Sequence, residues 1–552
     1  GDLHLGHLSG PYLSADLHAR FRRMQGDDAH LVLGTDSSQC WVAEKAHRMG
    51  RSPLETADEF AAKIQETMEM AKISFSRFYA PAHTPSHREF VSKMVEKMYA
   101  EGFLEARDAP ALICPTCDRY LFEAFVSGTC PHCGKGCCGN GCEECCQPND
   151  CVDLIDPRCR ICGSKPVQEV VRRLYFPIEN VRPRLQAWLD SAALRPRHRA
   201  LVEKALAGTL PEIVASHVTD WGIPVPVPGF EGQCINSWLE GGAGYLTAAD
   251  QFAEELWGKK GWETCWKSED AEVVQFFGFD NSWVHALFFP ATFLAFDQDV
   301  RLPVAQVANY FYLLDHEKFS TSRGHAVWGR DLIGETSADV VRFYLCYTSP
   351  ETRRTNFSRH EFDGCIRREL IESWQGWLGE LGRRLDRCFD GEVPEAGVWT
   401  DEHIRFYADL RARVAELEGA YRAESFSPQT AAHAACELAR RARCFGEAEE
   451  SWATLPEGRD RLRTGLALEL AAARALALGV APMMPDFAEE LWQALGYTSP
   501  VAQQDWDPKA LFLPFGRRLF ELERQYFPEL PQAEEGDGSR HLEVVPVGSK
   551  TA

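Results

Sequence analysis

Cysteine spacing is the strongest chemical signal in the sequence. Twelve of the 20 cysteines lie between Cys114 and Cys162. Eight of them form four Cys-x-x-Cys pairs, a spacing at which a tight turn directs two thiolates to one ion. Two pairs complete one tetrahedral site, so the spacing predicts two four-cysteine zinc knuckles. We assign the inner pairs to one ion and the outer pairs to the other, a pairing that the spacing alone leaves open. The pairs are Cys114/Cys117, Cys130/Cys133, Cys142/Cys145 and Cys159/Cys162.

We expect these zinc sites to be structural, because an all-cysteine site has no open coordination position for a substrate. Disulfides are the weaker explanation, since the chain is large and its first residues lack the features of an export signal. Four further cysteines leave the ligand set open, because each of them either replaces a nominal ligand or remains a free thiol. These are Cys137, Cys138, Cys146 and Cys151.

Two short motifs carry groups suited to nucleotide chemistry. His4-Leu5-Gly6-His7 opens the first predicted helix, and the segment from Lys318 to Gly324 forms a polar loop. A helix N-terminus with two imidazoles can bind a triphosphate, and a lysine loop can hold the leaving pyrophosphate. Each motif alone is weak, since paired histidines are more often surface residues or metal ligands. Their order, and the α/β elements that carry them, favour one shared nucleotide site.

The elements that position these motifs have the pattern of an α/β protein. Residues 11–27 carry apolar side chains at helical spacing, and Ala29–Gly34 is a short strand-like run. Val273–Gly278 is a second strand candidate, followed by an apolar, helical stretch from Trp283 to Phe296. Polar residues follow both strands, as they do at the carboxyl ends of parallel strands. The pattern predicts a Rossmann-type, doubly wound parallel sheet.

The chain divides into several predicted regions. The cysteine-rich segment interrupts the α/β pattern as an insertion, and the residues after Asp363 are rich in Ala, Leu, Arg and Glu at helical spacing, which predicts an all-α helical bundle. The predicted regions are 1–95, the first half of the catalytic domain; 96–225, the insertion with knuckles at 114–162; 226–360, the second half with the lysine loop; 361–531, the helical domain; and 532–552, a mobile tail.

Composition excludes several classes of protein. The chain has 552 residues, of which 45% are hydrophobic and 25% are charged, so it is an ordinary globular chain rather than a disordered one. No apolar run reaches the roughly 18 residues of a membrane span, so we expect a cytoplasmic protein without a membrane partner. The net charge of −22 argues against nonspecific DNA binding. A run of arginines forms either a local RNA-binding patch or, more readily, a solvated charged face; these are Arg182, Arg184, Arg195, Arg197 and Arg199.

On these residues, the sequence resembles the class I aminoacyl-tRNA synthetases, and the methionyl type in particular. His4-Leu5-Gly6-His7 is similar to the family's His-Ile-Gly-His signature, and Lys318 to Ser322 is similar to its Lys-Met-Ser-Lys-Ser signature. The cysteine pairs resemble the two-zinc form of the family's connective insertion. Asp220 to Pro226 resembles the stretch after that insertion.

Two further segments resemble the family's substrate pockets. The run from Trp238 to Tyr245 is similar to the Trp-Phe/Leu-Asp-Ala-Pro-Ile-Gly-Tyr that walls the amino-acid pocket. Gly278-Phe279-Asp280 followed by His285 is similar to the Gly-Lys-Asp…His segment. Taken alone, Trp238 and Phe289 would equally fit core packing, Asp36 a helix cap or turn, and His285 a buried core histidine.

The resemblance implies an ATP-dependent ligase of protein biosynthesis that uses Mg²⁺, adenylates an amino acid and transfers it to tRNA. The implied catalytic residues are His4, His7, Lys318, Ser320, Ser322 and Arg323. The implied ATP-binding residues are Gly6, His4, His7, Gly278, Asp280 and Lys318. The implied amino-acid-binding residues are Asp36, which would hold the ammonium group, and Trp238, Tyr245, Asn281, His285 and Phe289.

The sequence also departs from the family's pattern. Thr321 replaces the second signature lysine, Gly241-Gly242 replaces Ala-Pro, Phe279 replaces the lysine of Gly-Lys-Asp, and Asn281 replaces an apolar residue. In the helical domain, which the resemblance makes one of anticodon-binding type, Gly376 to Glu380 aligns with the Asn-Leu-Ala-Ser-Arg that reads the methionine anticodon. Glu380 would repel a phosphate that an arginine would bind. Trp452 aligns with the anticodon-stacking tryptophan, but Ser451 precedes it where proline is usual.

These matches and departures leave three functions open. The first is a methionyl-tRNA synthetase-like enzyme that activates methionine or a related amino acid and charges tRNA. The second is a divergent paralogue that transfers the activated amino acid to a small-molecule or protein amine. The third is an inactive, synthetase-like binding protein, which is suggested by Thr321.

Overall fold

The computed structural model describes residues 2–80, 84–258, 261–320, 324–454, 458–507 and 510–530. Thr321, Ser322, Arg323 and the predicted tail at 532–552 lie outside the described residues. The chain forms two compact units. The first comprises Gly1–Ala29, Thr67–Ser74 and Phe311–Ala552, and the second comprises His30–Glu66 and Phe75–Tyr310.

The second unit contains the parallel strands that the sequence predicts. Val32–Gly34 pairs in parallel with Arg77–Tyr79, and Val274–Gly278 pairs in parallel with Ala305–Asn309. A third strand, Ala193–Leu194, adds to the other edge of Ala305–Asn309, also in parallel. The strands are short and lie in separate small sheets, and the first begins three residues later than predicted.

Helices connect these strands, as parallel pairing requires. After Val274–Gly278 the chain forms a π-helical stretch at Val284–Phe288 and then the α-helix Phe289–Phe296, which are buried almost throughout. The other α-helices of this unit are Cys40–Met49, Pro53–Met70 (whose last turn belongs to the first unit), Pro85–Ala100, Arg182–Ser191, Pro196–Ala207, Ser237–Trp257 and Glu263–Trp266.

The cysteine-rich segment is built from antiparallel strands. Its longest pair is Glu105–Cys114 with Val167–Pro177, in which Glu105 lies opposite Tyr175. Arg119–Leu121 and Glu212–Val214 complete that sheet. A smaller sheet carries the knuckles and consists of Gly136–Cys138, Val126–Thr129 and Ile155–Cys159, in that order. Ser216–Val218 pairs with Gln233–Ile235 just before the helix Ser237–Trp257.

The first unit is largely helical after residue 329. Its helices are Leu5–His7, Leu13–Met24, Gly329–Glu335, Ala338–Tyr347, Arg359–Cys365, Gly376–Phe389, Asp401–Tyr421, Pro428–Glu450, Gly458–Val480 and Pro485–Ala494, with π-helical turns at Leu8–Tyr12 and Ile366–Gln375. The helix Gly458–Val480 is buried along most of its length because Ala, Leu and Gly fill it. Its only strands among the described residues are Tyr312–Leu314, Glu317–Lys318 and Thr355–Phe357.

Two buried ion pairs cross-link elements of the first unit. Arg342 pairs with Asp16 at 2.6 Å, and Arg384 pairs with Glu469 at 2.6 Å. All four side chains are almost completely buried, so each charge depends on its partner for solvation. Among the helices of the described residues, none combines the length and the apolar character needed to cross a membrane.

Candidate functional site

The first histidine motif forms a tight turn at the start of the first unit. Leu5–His7 is a single helical turn that His4 precedes in an extended conformation. The ring of His4 stacks on that of His7, with centroids 3.6 Å apart, and the backbone N–H of His4 donates to Nδ1 of His7 at 3.2 Å. The two imidazoles are therefore held together rather than splayed apart.

The lysine loop follows a β-hairpin whose turn has two residues. Tyr312–Leu314 pairs antiparallel with Glu317–Lys318, and the turn residues Asp315 and His316 both have positive φ, as a type I′ turn requires. Ser320 and His325 then exchange two backbone hydrogen bonds, of 2.8 and 3.0 Å, which close the loop at its base. The ammonium group of Lys318 lies 4.3 Å from the centroid of the Phe311 ring.

The structure brings the histidine motif and the lysine loop together within the first unit. The N–H of Leu5 donates to the carbonyl of Val327 at 3.0 Å, and the N–H of Gly329 donates to the carbonyl of Leu3 at 3.0 Å. In addition, the rings of His4 and Phe319 stack with centroids 4.6 Å apart. Two motifs that are far apart in the sequence thus form one local site.

Both histidines of this site are uncharged at neutral pH. Desolvation lowers the pKa of His4 to about 3 and the pKa of His7 to about 4, although His7 is exposed in the structure. Nδ1 of His4 is buried and has no hydrogen-bond partner among the described residues. Neutral imidazoles can donate hydrogen bonds to phosphate oxygens as charge moves in a displacement reaction.

The predicted amino-acid pocket lies in the second unit, where three of its side chains form an aromatic cluster. Phe289 packs edge to face against Tyr245 at 5.7 Å and against His285 at 5.0 Å. Tyr245 is 38% exposed, so the cluster is open on its side. A Cβ at Gly242 would lie 3.0 Å from Cδ1 of Phe289, so the glycine lets this ring lie against the helix Ser237–Trp257.

Trp238 and Asn281 are placed differently from these three residues. The indole of Trp238 contacts Phe288 edge to face at 6.1 Å, and its outer edge lies against Gly141 of the knuckle segment. Asn281 is exposed and lies at the end of the short helical turn Phe279–Asn281. The contact of Gly141 with Trp238 connects the cysteine-rich segment to the wall of the pocket.

Asp36 lies near the buried carboxylate of Glu240. A Cβ at Gly241 would lie 3.6 Å from Oδ1 of Asp36, which puts this side chain next to the pocket helix. Desolvation, and then the charge of Glu240, raise the pKa of Asp36 to about 6, although the residue is exposed in the structure. Glu240 itself is 4% exposed and lies 3.4 Å from Nε2 of His87. A cationic ligand group would relieve this concentration of negative charge.

The predicted nucleotide residues Gly278 and Asp280 lie where a parallel strand ends. Val274–Gly278 is followed at once by the turn Phe279–Asn281. A Cβ at Gly278 would lie 2.5 Å from Oδ1 of Asp280, so the glycine leaves room for this carboxylate beside the strand end. This is the edge of a parallel sheet at which ligands usually bind.

The eight knuckle cysteines gather into two groups. The outer set is Cys114, Cys117, Cys159 and Cys162, and the inner set is Cys130, Cys133, Cys142 and Cys145; in each set the four Sγ atoms lie within 4.8 Å of one another. Four thiolates at this separation can surround one tetrahedral zinc ion and leave no position for a substrate. Of the other cysteines, Cys146 donates to the carbonyl of Phe279 at 3.2 Å, and Cys151 donates to Asn140 at 2.8 Å.

The helical domain places Glu380 and Trp452 in ionic surroundings. Glu380 accepts from Arg443 at 3.3 Å, so its charge is paired within the protein. Trp452 is 40% exposed, and the guanidinium of Arg461 lies 4.2 Å from its ring centroid. Arg461 is held in turn by the buried Glu449 at 2.6 Å.

Sequence reasoning missed three residues of these sites. Phe319 enters the prediction only as part of the loop signature, although its ring contacts His4. Glu240 falls at the aspartate position of the pocket motif, and that match is the signal that could have identified it. The contact between Gly141 and Trp238 has no sequence signal, because it depends on how the knuckle folds.

Comparisons with known proteins identify the family of this chain. The family model "tRNA synthetases class I (M)" matches residues 1–380. The methionine–tRNA ligase of Methanopyrus kandleri is 33% identical over 92% of this chain and 75% of its own length, and that of Thermomicrobium roseum is 31% identical over 90% and 85%. The crystal structure of Mycobacterium tuberculosis methionyl-tRNA synthetase bound by methionyl-adenylate has a TM-score of 0.78 at 20% identity, covering 96% of this chain and 97% of that one.

The chain therefore belongs to the class I aminoacyl-tRNA synthetases and is a ligase of that class. Within the class, it is a member of the methionyl-tRNA synthetase family. The predicted α/β fold with a cysteine-knuckle insertion and a helical C-terminal region is confirmed.

Proposed function

We propose that the protein activates methionine or a related amino acid with ATP and transfers it to the 3′ end of tRNA. A carboxylate oxygen of the amino acid attacks the α-phosphorus of ATP, the bond to the β-phosphate oxygen breaks, and pyrophosphate leaves. His4 and His7 donate hydrogen bonds to the phosphates, and Lys318 neutralises charge on the leaving group. The acyl group then passes to a tRNA hydroxyl with release of AMP.

The observation that carries this proposal is the single site formed by the histidine motif and the lysine loop. The stack of His4 on Phe319 and the two backbone hydrogen bonds at Leu5 and Gly329 support a shared nucleotide. Ser320 adds a hydroxyl at the base of the loop, and we assign Ser322 and Arg323, from the resemblance, to the same loop. ATP enters as its magnesium complex, in which the ion neutralises part of the phosphate charge.

In the second unit, we assign Asp36 to the substrate ammonium, and Trp238, Tyr245, His285 and Phe289 to its side chain. We assign Asn281, which is exposed, to the edge of this pocket. We assign Gly278 and Asp280 to the ATP ribose, because they lie at the carboxyl end of a parallel strand, where ligands usually bind. A thioether fits an aromatic enclosure through sulfur–ring contacts.

We propose that each cysteine set holds one structural zinc ion, and that the regions 1–95, 96–225, 226–360 and 361–531 act as the two catalytic halves, the insertion and the anticodon-binding-type domain. When bound, zinc would cross-link the knuckle that contacts Trp238. Since tRNA charging serves translation, we place the protein in the cytoplasm.

Amino-acid-dependent exchange of labelled pyrophosphate into ATP, screened over all amino acids, tests activation. We expect exchange with methionine or a close analogue, and no exchange with any amino acid would refute the enzyme and favour a binding protein. Charging of total tRNA tests the acceptor.

A second candidate is transfer of the activated amino acid to a small-molecule or protein amine. The pairing of Glu380 with Arg443 favours this candidate. A tRNA phosphate that approached this surface would meet the carboxylate of Glu380 and an arginine whose charge that carboxylate already neutralises. Exchange without acylation of any tRNA would select this candidate.

A further inference from the structure

The run of arginines between Arg182 and Arg199 is not a uniform basic patch. Arg182 is bound to Glu179 and to the carbonyl of Gly208. Arg184 donates to Gln298 at 2.7 Å, and Arg199 donates to the carbonyl of Ala192 at 2.7 Å. These guanidinium groups hold the fold together, so they are not available as a set to a polyanion.

Arg197 is held in a different way. Its guanidinium lies 4.9 Å from the ring centroid of Phe279 and 4.9 Å from that of Tyr310, while the two rings stack on each other at 4.9 Å. Within the part of the chain that the structure describes, this guanidinium makes no hydrogen bond and no ion pair. Since Arg197 is exposed and its N–H groups have no acceptor among the described residues, those groups remain able to donate to a ligand.

Of the two rings beside Arg197, Phe279 directly follows the strand end already assigned to the nucleotide, and Tyr310 follows the neighbouring parallel strand Ala305–Asn309. Phe279 lies between Gly278 and Asp280, and its carbonyl accepts a hydrogen bond from Cys146, which fixes the backbone there. The Gly-Lys-Asp motif that this segment resembles has a lysine where this chain has Phe279, so the turn after the strand has no cation of its own at that position. Arg197 supplies a positive charge beside the same residue.

We propose that Arg197 is a nucleotide-binding residue whose guanidinium donates hydrogen bonds to phosphate oxygens of ATP. The proposal rests on the proposed function, because it places ATP at the end of the strand Val274–Gly278. A phosphate oxygen matches the planar donor groups of arginine better than a neutral ligand would. The location beside Gly278 and Asp280 favours ATP over an RNA phosphate.

The test uses two measurements. Titration calorimetry with magnesium ATP measures ATP binding directly, and pyrophosphate exchange gives the Michaelis constants for ATP and for the amino acid. We expect Arg197→Ala to weaken ATP binding and to raise the KM for ATP about tenfold, because the variant loses one charged hydrogen bond. The KM for the amino acid should stay within about twofold of wild type. Arg197→Lys, which keeps the charge, should lie between the two. Arg184→Ala is the matched control, since its guanidinium binds Gln298 instead.

An unchanged ATP affinity in a folded Arg197→Ala protein would overturn the assignment. A raised KM for tRNA with an unchanged KM for ATP would also overturn it, and would make Arg197 an RNA contact. The calorimetric titration distinguishes a failure of the Arg197 assignment from a failure of the proposed function. Weaker ATP binding by the variant supports the assignment even if the wild-type protein shows no pyrophosphate exchange.

Discussion

The imidazole of His4 stacks on the phenyl ring of Phe319, with centroids 4.6 Å apart and an angle of 13° between the planes. Because Phe319 directly follows Lys318, this contact fixes the start of the lysine loop against the histidine motif. Gly6 makes the contact possible: a Cβ at this position would lie 2.9 Å from Cε1 of His4 and 3.2 Å from Cδ2 of Phe319. Gly6 therefore leaves the space that the rings of His4 and Phe319 need in order to stack.

Gly6→Ala should lower the rate of pyrophosphate exchange about a hundredfold, because the new methyl group displaces both rings and with them the phosphate-binding groups. Gly334→Ala is the matched control, since a Cβ there meets nothing within 4 Å. We expect that control to keep wild-type exchange. Equal rates for the two variants would show that the stack does not matter for activation.

Features that depend on residues close together in the sequence could be predicted, and features that depend on residues far apart in the sequence could not. The Cys-x-x-Cys pairs and the strand Val274–Gly278 depend on neighbouring residues, so their spacing was enough to predict them. The contacts of Arg197 with Phe279, and of Gly141 with Trp238, join residues far apart in the chain, and no pattern in a single sequence encodes them. The predicted strand Ala29–Gly34 begins only at Val32, because the Ala29 carbonyl accepts from Arg23 at 2.7 Å instead of pairing in a sheet.

Removal of a histidine should show directly in activation. His7→Ala is expected to reduce pyrophosphate exchange by roughly tens-fold, the usual contribution of one positioned hydrogen-bonding or proton-transferring group. Because the pKa of His7 is lowered to about 4, the wild-type rate at saturating substrates should not follow histidine protonation between pH 6 and 8. An exchange rate unaffected by the substitution would remove His7 from the mechanism.

The binding of the amino acid should weaken in mild acid. Asp36 must be ionised to pair with an ammonium group, and its pKa is raised to about 6, so the charged form dominates above pH 6 and is lost below it. We therefore expect the KM for the amino acid to rise as pH falls from 7 to 5. Asp36→Asn should have a high KM at every pH and lose this dependence. A KM independent of pH in the wild type would contradict the assignment.

The two cysteine sets should bind zinc independently. Elemental analysis of the purified protein should give two zinc ions per chain, falling to one in Cys142→Ser, from the inner set, and to one in Cys162→Ser, from the outer set. Cys444→Ser is the control, because Cys444 is exposed and outside both sets. Full zinc content in both knuckle variants would show that the ligands lie elsewhere.

The buried pair of Arg384 and Glu469 predicts a large loss of stability when its charge balance is broken. Glu469 accepts from both terminal nitrogens of Arg384 at 2.6 Å, with side-chain exposures of 6% for the arginine and 0% for the glutamate. Glu469→Gln leaves the guanidinium buried without a counter-charge and should lower the free energy of unfolding by about 3 to 5 kcal/mol. Glu450→Gln, in the exposed pair with Arg387, should cost less than about 1 kcal/mol, because solvent screens that pair. Urea denaturation of both variants measures the difference, and similar midpoints would show that the buried pair is dispensable.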